Sequence, residues 1–260
     1  MALKEFVGAT CTETVSGIIF DLRNPSVEDI DINDISWSLS RINRYTGHTI
    51  TKKPYSVAQH TVMVSRYCEW ALTPGNEFHD MFQRFIEGKL TEACVGTLED
   101  EDRKYQIRKW SDLQDFTRHT PGNIVKMVSL HGLLHDFAEA YLTDVPSPVK
   151  RLPGMYEAIR EAESKLEPVI FKAMGLEYSP TQWPGTYENG CMVVHWADMI
   201  ALKIEAYHMM PSRGLSWNLP QEKPTLKMLD GFRWPIDAEK ARDELIDRHN
   251  ELKPDEPIYG

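Results

Sequence analysis

Cysteine is scarce in this chain, and its four copies, Cys11, Cys68, Cys94 and Cys191, are far apart and form no C-x-x-C pair. That spacing excludes a zinc ribbon and fits thiols in a reducing compartment, held in the core or at the surface. Long apolar runs are also missing. None approaches the roughly 18 residues that suggest a membrane span, and the start of the chain, with Lys4 and Glu5 and no apolar stretch after them, does not read as a secretion signal. A cytoplasmic protein without membrane contact is the expectation. Positive charge is in deficit, with 29 Lys and Arg against 39 Asp and Glu for a formal net charge of -10. A surface that tracks duplex nucleic acid is therefore excluded, whereas a small anionic substrate stays open if the positive charge is local. Internal repeats, low-complexity segments, a Gly-rich phosphate loop and a G-x-S-x-G elbow are all absent, so Rossmann and serine-nucleophile readings have no footing.

What is present is helical patterning. The 260 residues are 42% hydrophobic and 26% charged, enough for one good-sized core or two small ones. Val15 to Leu22 is β-rich and stops at Asn24-Pro25, which predicts a short peripheral strand. Ser26 to Ile35 reads as a short helix or ordered loop. The spacing of Ile35, Leu39 and Ile42 predicts a helix over Asp34 to Tyr45 ended by Gly47, with Arg41 and Arg44 at its C-terminal end. Two basic residues there have two readings: cations favoured by the helix C-terminus, or a phosphate grip. Ser56 is the expected N-cap of the next helix, whose apolar side includes His60. From Gly75 to Gly122 the composition turns charged, through Glu99-Asp100-Glu101-Asp102, and reads as an inserted helix pair or a long lid outside the main bundle. An amphipathic helix is predicted over Pro153 to Met174, an apolar one over Cys191 to Met210, with a loop from Gly175 to Gly190 between them, and a charged helix over Asp237 to Leu252. The fold class expected is all-α with a small N-terminal strand region.

The most informative stretch runs from His131 to Pro146. Leu130, Leu133, Leu134, Phe137, Ala138 and Leu142 have the apolar density of a buried helix, yet His135, Asp136, Glu139 and Asp144 lie among them. On a helix His135 and Glu139 share a face, with Asp136 about 100° round. A buried imidazole beside a buried carboxylate is costly unless paired or bound to metal. Val145 to Arg151 reads as a proline-stiffened loop bringing Lys150 and Arg151 close to Asp144. Asp198, between Ala197 and Met199 in an apolar helix, is a second out-of-place carboxylate. His60 alone has the plainer reading of a hydrogen-bonded core histidine. Taken with His135, Asp136 and Asp198 it completes a set of two imidazoles and two carboxylates, which suits one divalent transition metal ion such as Mn, Fe, Co, Ni or Zn and leaves room for water.

The set His60, His135-Asp136, Asp198 resembles the H…HD…D signature of the HD-domain phosphohydrolases, and most of all the YfbR-type 5′-deoxynucleotidases and phage dATP triphosphohydrolases. Leu39-Ser40-Arg41-Ile42 with Asn43-Arg44-Tyr45 is similar to their nucleotide-gripping segment, with Tyr45 where the bacterial enzymes have Trp. Ser56 to His60 is similar to their first ligand helix, and His135 to Lys150 to their catalytic helix and loop. The likeness covers residues 36–73 and 123–210, not the insertion or the tail. It implies a single HD domain over 1–260: an extension 1–35, a helical bundle 36–215 with the insertion 75–122, and a tail 216–260.

The resemblance further implies hydrolysis of 2′-deoxynucleotides at the α-phosphate, by a dNTP triphosphohydrolase or a 5′-deoxynucleotidase, in a homo-oligomer. The Tyr45-Thr46-Gly47-His48 run, more like the phage proteins, points to dATP. Glu139 would orient or deprotonate the attacking water and Asp144 would protonate the leaving 5′-oxygen. Arg44, Arg41 and Lys150 would hold phosphate oxygens, and Tyr45 would stack on or fence the sugar and base. Rival readings are a phosphodiesterase for a cyclic nucleotide or guanosine alarmone, an HD-fold metal oxygenase, and a non-catalytic nucleotide-binding module. The oxygenases need extra histidines between the HD pair and the last Asp, and residues 137–194 contain none.

Overall fold

A computed structural model describes residues 10–95, 99–176, 186–217 and 224–254. The chain is mostly helical, with a small two-stranded sheet near its N-terminus, as the patterning predicts. Among the described residues no helix is long and apolar enough to cross a membrane. The chain divides into two compact units. The first comprises Met1–Val62, Leu133–Glu177 and Arg233–Gly260; the second comprises Met63–Gly132 and Tyr178–Phe232.

The first unit opens with an antiparallel hairpin, β1 (Cys11–Glu13) and β2 (Ile19–Asp21), with Thr12 opposite Phe20. The β2 strand falls inside the predicted 15–22 segment. After a 3₁₀ turn at Val27–Asp29 comes α1 (Ile32–Leu39), whose N-cap Asp31 accepts from Asn33 N at 2.7 Å. This helix ends well before the predicted Tyr45. The chain leaves it because Asn43 pairs with Ser56 as an isolated bridge and Arg44 N donates to Tyr55 O at 2.9 Å. Extended backbone and helix exclude each other, so Arg41 and Arg44 are not neighbours on one helix end. Arg44 starts a separate 3₁₀ turn, Arg44–Gly47, in which Tyr45, Thr46 and Gly47 all have positive φ.

Ser56 precedes α2 (Val57–Leu72), and its Oγ accepts from Gln59 N at 3.3 Å. The first turn of α2 belongs to the first unit, where the Gln59 side chain donates to Trp234 O and accepts from Ile236 N. The rest of α2 belongs to the second unit. There the 75–122 segment forms two helices, α3 (Glu77–Val95) and α4 (Asp100–His119), packed on each other. Of the two alternatives for this segment, helices form. Glu99, Glu101 and Asp102 are exposed, whereas Phe82, Ile86 and Leu113 are fully buried and Phe82 meets Trp196 at 4.7 Å between ring centroids. An apolar face of that size makes the pair part of the core of its unit.

The long helix expected through 130–142 is broken. α5 (Gly122–Leu134) stops just before His135, and α6 (Glu139–Leu142) follows. Between them the chain winds tightly: Phe137 N reaches Leu134 O at 3.0 Å, Glu139 N reaches Asp136 O at 3.0 Å and Ala140 N reaches Phe137 O at 3.1 Å, all i to i−3. α5 approaches α2 closely. A Cβ on Gly132 would stand 2.6 Å from Cys68 Sγ and 3.3 Å from Ser65 Cα, so no larger residue fits there without movement.

The first unit continues with α7 (Ser147–Lys150), a single turn where a loop was predicted, started by Pro146 and Pro148. Then comes α8 (Met155–Ala173). α9 (Thr186–Met209) and α10 (Leu226–Asp230) lie in the second unit, and α11 (Ala238–Leu252) closes the first. Most of the loop predicted over 175–190 and part of the tail lie outside the described residues. In the first unit α1 packs on α6 and α11, and α7 on α8. Ser38 Oγ donates to Ala140 O at 2.8 Å, and Phe20 stacks on Tyr141 at 4.0 Å. These contacts carry α6, and with it Glu139, against α1.

Candidate metal centre

Three of the expected residues converge in the first unit. His60 projects from the first turn of α2 and is fully buried. His135 and Asp136 occupy the tight turn between α5 and α6. Asp136 Oδ2 lies 3.1 Å from His135 Nε2 and 3.6 Å from His60 Nε2, and one ligand atom from each residue falls within 4.8 Å of the others. The two imidazole rings are tilted by 56° with centroids 5.3 Å apart, so they do not stack. Donor atoms about 2.1 Å from a common ion stand about 3.0 to 3.4 Å apart at octahedral or tetrahedral angles. The 3.1 Å separation falls in that range and the 3.6 Å one just beyond it, and two imidazoles with a carboxylate are a donor set for a divalent metal. The group His60, His135, Asp136 can hold a metal ion.

The tight winding changes how this is built. In a regular helix His135 and Glu139 would share a face; here the i to i−3 bonds turn the chain further per residue. Glu139 still ends up buried, 8% exposed, at the first position of α6, and its Oε2 has no hydrogen-bond partner among the described residues. Burial, then the negative charges of Asp136 and Asp144, push its carboxyl well above the ordinary value, against the pull of Arg44 and Lys150. Burial also pushes Asp136 up, but His135 beside it, then His60 and Arg44, outweigh that and hold it well below the usual carboxylate range. Asp144 is half-buried just past Thr143, whose φ of 68° ends α6. Burial raises its carboxyl; Arg44 opposes this and Asp136 adds to it. The Glu139 and Asp144 carboxyls are thus raised while that of Asp136 is lowered.

Arg44 Nη1 is 3.6 Å from Asp136 Oδ2, with its side chain 12% exposed. The backbone bridge to Ser56 fixes Arg44 directly beside the start of α2, so one local structure places both Arg44 and His60. Tyr45 is half-buried at φ 59°, a conformation a bulky residue rarely adopts. Its ring centroid is 5.5 Å from Arg44 Cζ. Arg41 is exposed and turns back on its own helix: Nη1 donates to Trp37 O at 3.0 Å, and the guanidinium covers the Trp37 ring at 3.6 Å. Lys150 Nζ donates to Glu163 Oε1 at 3.3 Å. Asp198 lies half-buried on α9, in the second unit, and is not among the three residues that the first unit brings together.

Sequence reasoning passed over two acids. Glu163 and Glu167 stand one turn apart on α8, and the charges of Asp136 and His135 act on Glu167. Burial, followed by Glu163, raises the Glu167 carboxyl. The signal was present in the spacing: Glu163 lies three and seven residues before Leu166 and Ile170, which are buried, so it shares their inward side.

No family model matches the chain. It is similar to the uncharacterized protein YfdR of Escherichia coli (strain K12), at 27% identity over 240 residues that cover 92% of this chain and 94% of that protein.

Proposed function

We propose that the chain is an HD-type, metal-dependent phosphohydrolase of 2′-deoxynucleotides that cleaves at the α-phosphate, either as a dNTP triphosphohydrolase with a lean to dATP or as a 5′-deoxynucleotidase. One observation carries the reading: the metal-competent group His60, His135, Asp136 has a guanidinium, Arg44, on one side and a buried carboxyl, Glu139, close by. A metal site with no cation for phosphate would suit many chemistries. This one pairs a cation for the substrate with an acid–base group for water. In this reading Asp198 joins the other three as fourth ligand, and the metal is one divalent transition ion.

A bound ion of that kind lowers the pKa of a coordinated water and polarises a phosphoryl oxygen. Glu139 orients the attacking water and takes its proton; the electron pair of the water oxygen forms the new bond to the α-phosphorus as the bond to the 5′-oxygen breaks. Asp144 hands its proton to that leaving oxygen, a role suited to a carboxyl held above its ordinary value. Arg44 and Lys150 hold phosphate oxygens, and Arg44 offsets charge as it develops. Tyr45, carried on the strained turn after Arg44, borders the sugar and base. The substrate is a small molecule and the protein a homo-oligomer in the cytoplasm.

The test is product identity from a panel of deoxy- and ribonucleotide mono- and triphosphates, with and without added Mn, Co, Fe, Ni or Zn. Metal-dependent release of phosphate from dNMP or of triphosphate from dNTP is expected. Cleavage confined to cyclic nucleotides or guanosine alarmones, or no turnover with any metal, overturns it.

A further inference from the structure

Lys150 stands on the single turn α7 and carries its charge on a four-carbon stem, so the place of its ammonium depends on what anchors it. Around it are three acids that the proposed chemistry needs in other roles: its charge acts on Glu139, Asp144 and Asp136. An unanchored ammonium would pair with one of them and cancel it. It does not pair with Glu139 Oε2, which has no hydrogen-bond partner among the described residues. Instead Nζ donates to Glu163 Oε1 at 3.3 Å, with the two side chains 30% and 16% exposed. Glu163 is itself held, since its Oε2 lies 3.8 Å from Arg160 Nη1, one turn back on α8. The carboxylate thus has one cation at each oxygen, and α7 packs on α8 at this place.

We propose that Glu163 is a positioning residue that holds Lys150 Nζ on the α8 side of the site, where the ammonium receives a substrate phosphate and stays off Glu139. This deepens the phosphohydrolase reading and rests on it. An ammonium already held needs less ordering when phosphate arrives, and an anchor on the far side keeps its remaining donors directed to the site. Lys150 would touch phosphate in the ground state and transition state alike, so the effect belongs in KM more than in kcat.

The experiment uses the full-length, metal-loaded protein as wild type, Glu163→Gln, Glu163→Ala, Lys150→Ala and the double variant Lys150→Ala/Glu163→Ala. It reads KM and kcat on the best nucleotide of the panel, the Kd of inorganic phosphate by calorimetry, and thermal unfolding. Glu163→Ala should raise KM and the phosphate Kd by roughly tenfold with kcat changed by no more than about twofold. Glu163→Gln keeps reach and an acceptor oxygen, so it should lose less. On the Lys150→Ala background, removal of Glu163 should cost nothing more, because an anchor without its ammonium has no function. A Glu163→Ala effect that persists undiminished in the double variant overturns the proposal, as does a KM that falls, which would make Glu163 a competitor for the ammonium. A wild type that turns over no nucleotide removes the phosphohydrolase reading, and its phosphate Kd still decides the role of Glu163. A wild type that does not bind phosphate overturns the positioning role as well.

Discussion

Arg44 Nη1 stands 3.6 Å from Asp136 Oδ2, the oxygen that is also 3.6 Å from His60 Nε2 and 3.1 Å from His135 Nε2. One carboxylate oxygen is thus the meeting point of both imidazoles and the guanidinium. Removing charge from it should disturb metal binding first, because a carboxylate is the only anion of the three-residue group. Arg44 then has a separable function, since a guanidinium cannot bind a cation.

Asp136→Asn should lose the metal and the activity together, as should His135→Ala, because each leaves an incomplete ligand set. Elemental analysis after dialysis measures this directly. The same measurement on Asp198→Ala decides whether Asp198 completes the set: a wild-type metal content there would remove it from the ligands and leave the three residues of the first unit to bind alone.

Arg44→Ala should keep the metal at the wild-type level and lower kcat/KM on the best nucleotide by about a hundredfold, the range for loss of a charged contact to phosphate. Arg44→Lys should recover only part, since a point charge cannot replace a planar two-pronged donor. Kinetics unchanged in both variants would leave Arg44 as a partner of Asp136 with no part in binding substrate.

Where local sequence decides structure, the reading from sequence and the structure coincide. Ser56 starts α2 as its hydroxyl predicts, the 159–170 apolar stripe forms α8, and the 237–252 segment forms α11 within a residue. The failures have a common cause in tertiary pairing and small angular differences. The 34–45 pattern is cut at Leu39 because Asn43 pairs with Ser56, a partner no local window contains. β1 was missed because a three-residue strand exists only by pairing with β2. The break at His135 is invisible to periodicity: a 3₁₀ turn adds about 20° per residue over an α-helix, and the four residues 135–138 are too few for the apolar spacing to register it. The metal-competent group was legible nonetheless, because polar residues in apolar runs signal a site whatever their winding. Glu163 was legible too, by its spacing of three and seven residues from Leu166 and Ile170, but on a helix this rich in charge an acid beside the apolar stripe looks like an acid on the solvent side.

Glu139→Gln should lower the rate by about a hundredfold or more, the usual size of a lost general base, while metal content and substrate affinity stay close to wild type. The substitution keeps shape in a buried position and removes a group whose Oε2 has no partner among the described residues, so folding should be spared. Thermal unfolding alongside single-turnover kinetics checks both halves. A turnover near the wild-type rate would take the base function away from Glu139, and Asp144→Asn would be the next variant to measure.

His249, on α11 and 3% exposed, should make the protein acid-sensitive independently of the site. Its Nε2 donates to Met174 O at 3.2 Å, while Nδ1 is buried with no hydrogen-bond partner among the described residues. Burial pushes the imidazole below its ordinary value of 6.5, against the opposing effect of the Met174 bond. Above pH 6.5 the ring is neutral in both folded and unfolded chains, and its contribution to stability is complete. Between 6.5 and the lower folded value the unfolded chain binds a proton that the native protein refuses, so stability falls with pH, by about 1.4 kcal/mol for each pH unit fully inside that window. His249→Gln, which can still donate to Met174 O, should flatten that part of the profile. Urea unfolding of both proteins from pH 7.5 to 5 isolates the effect as the difference between two curves, so other titrating groups cancel. Parallel curves would mean that the native state admits the proton at His249 as readily as the unfolded chain does, and that acid sensitivity has its origin elsewhere.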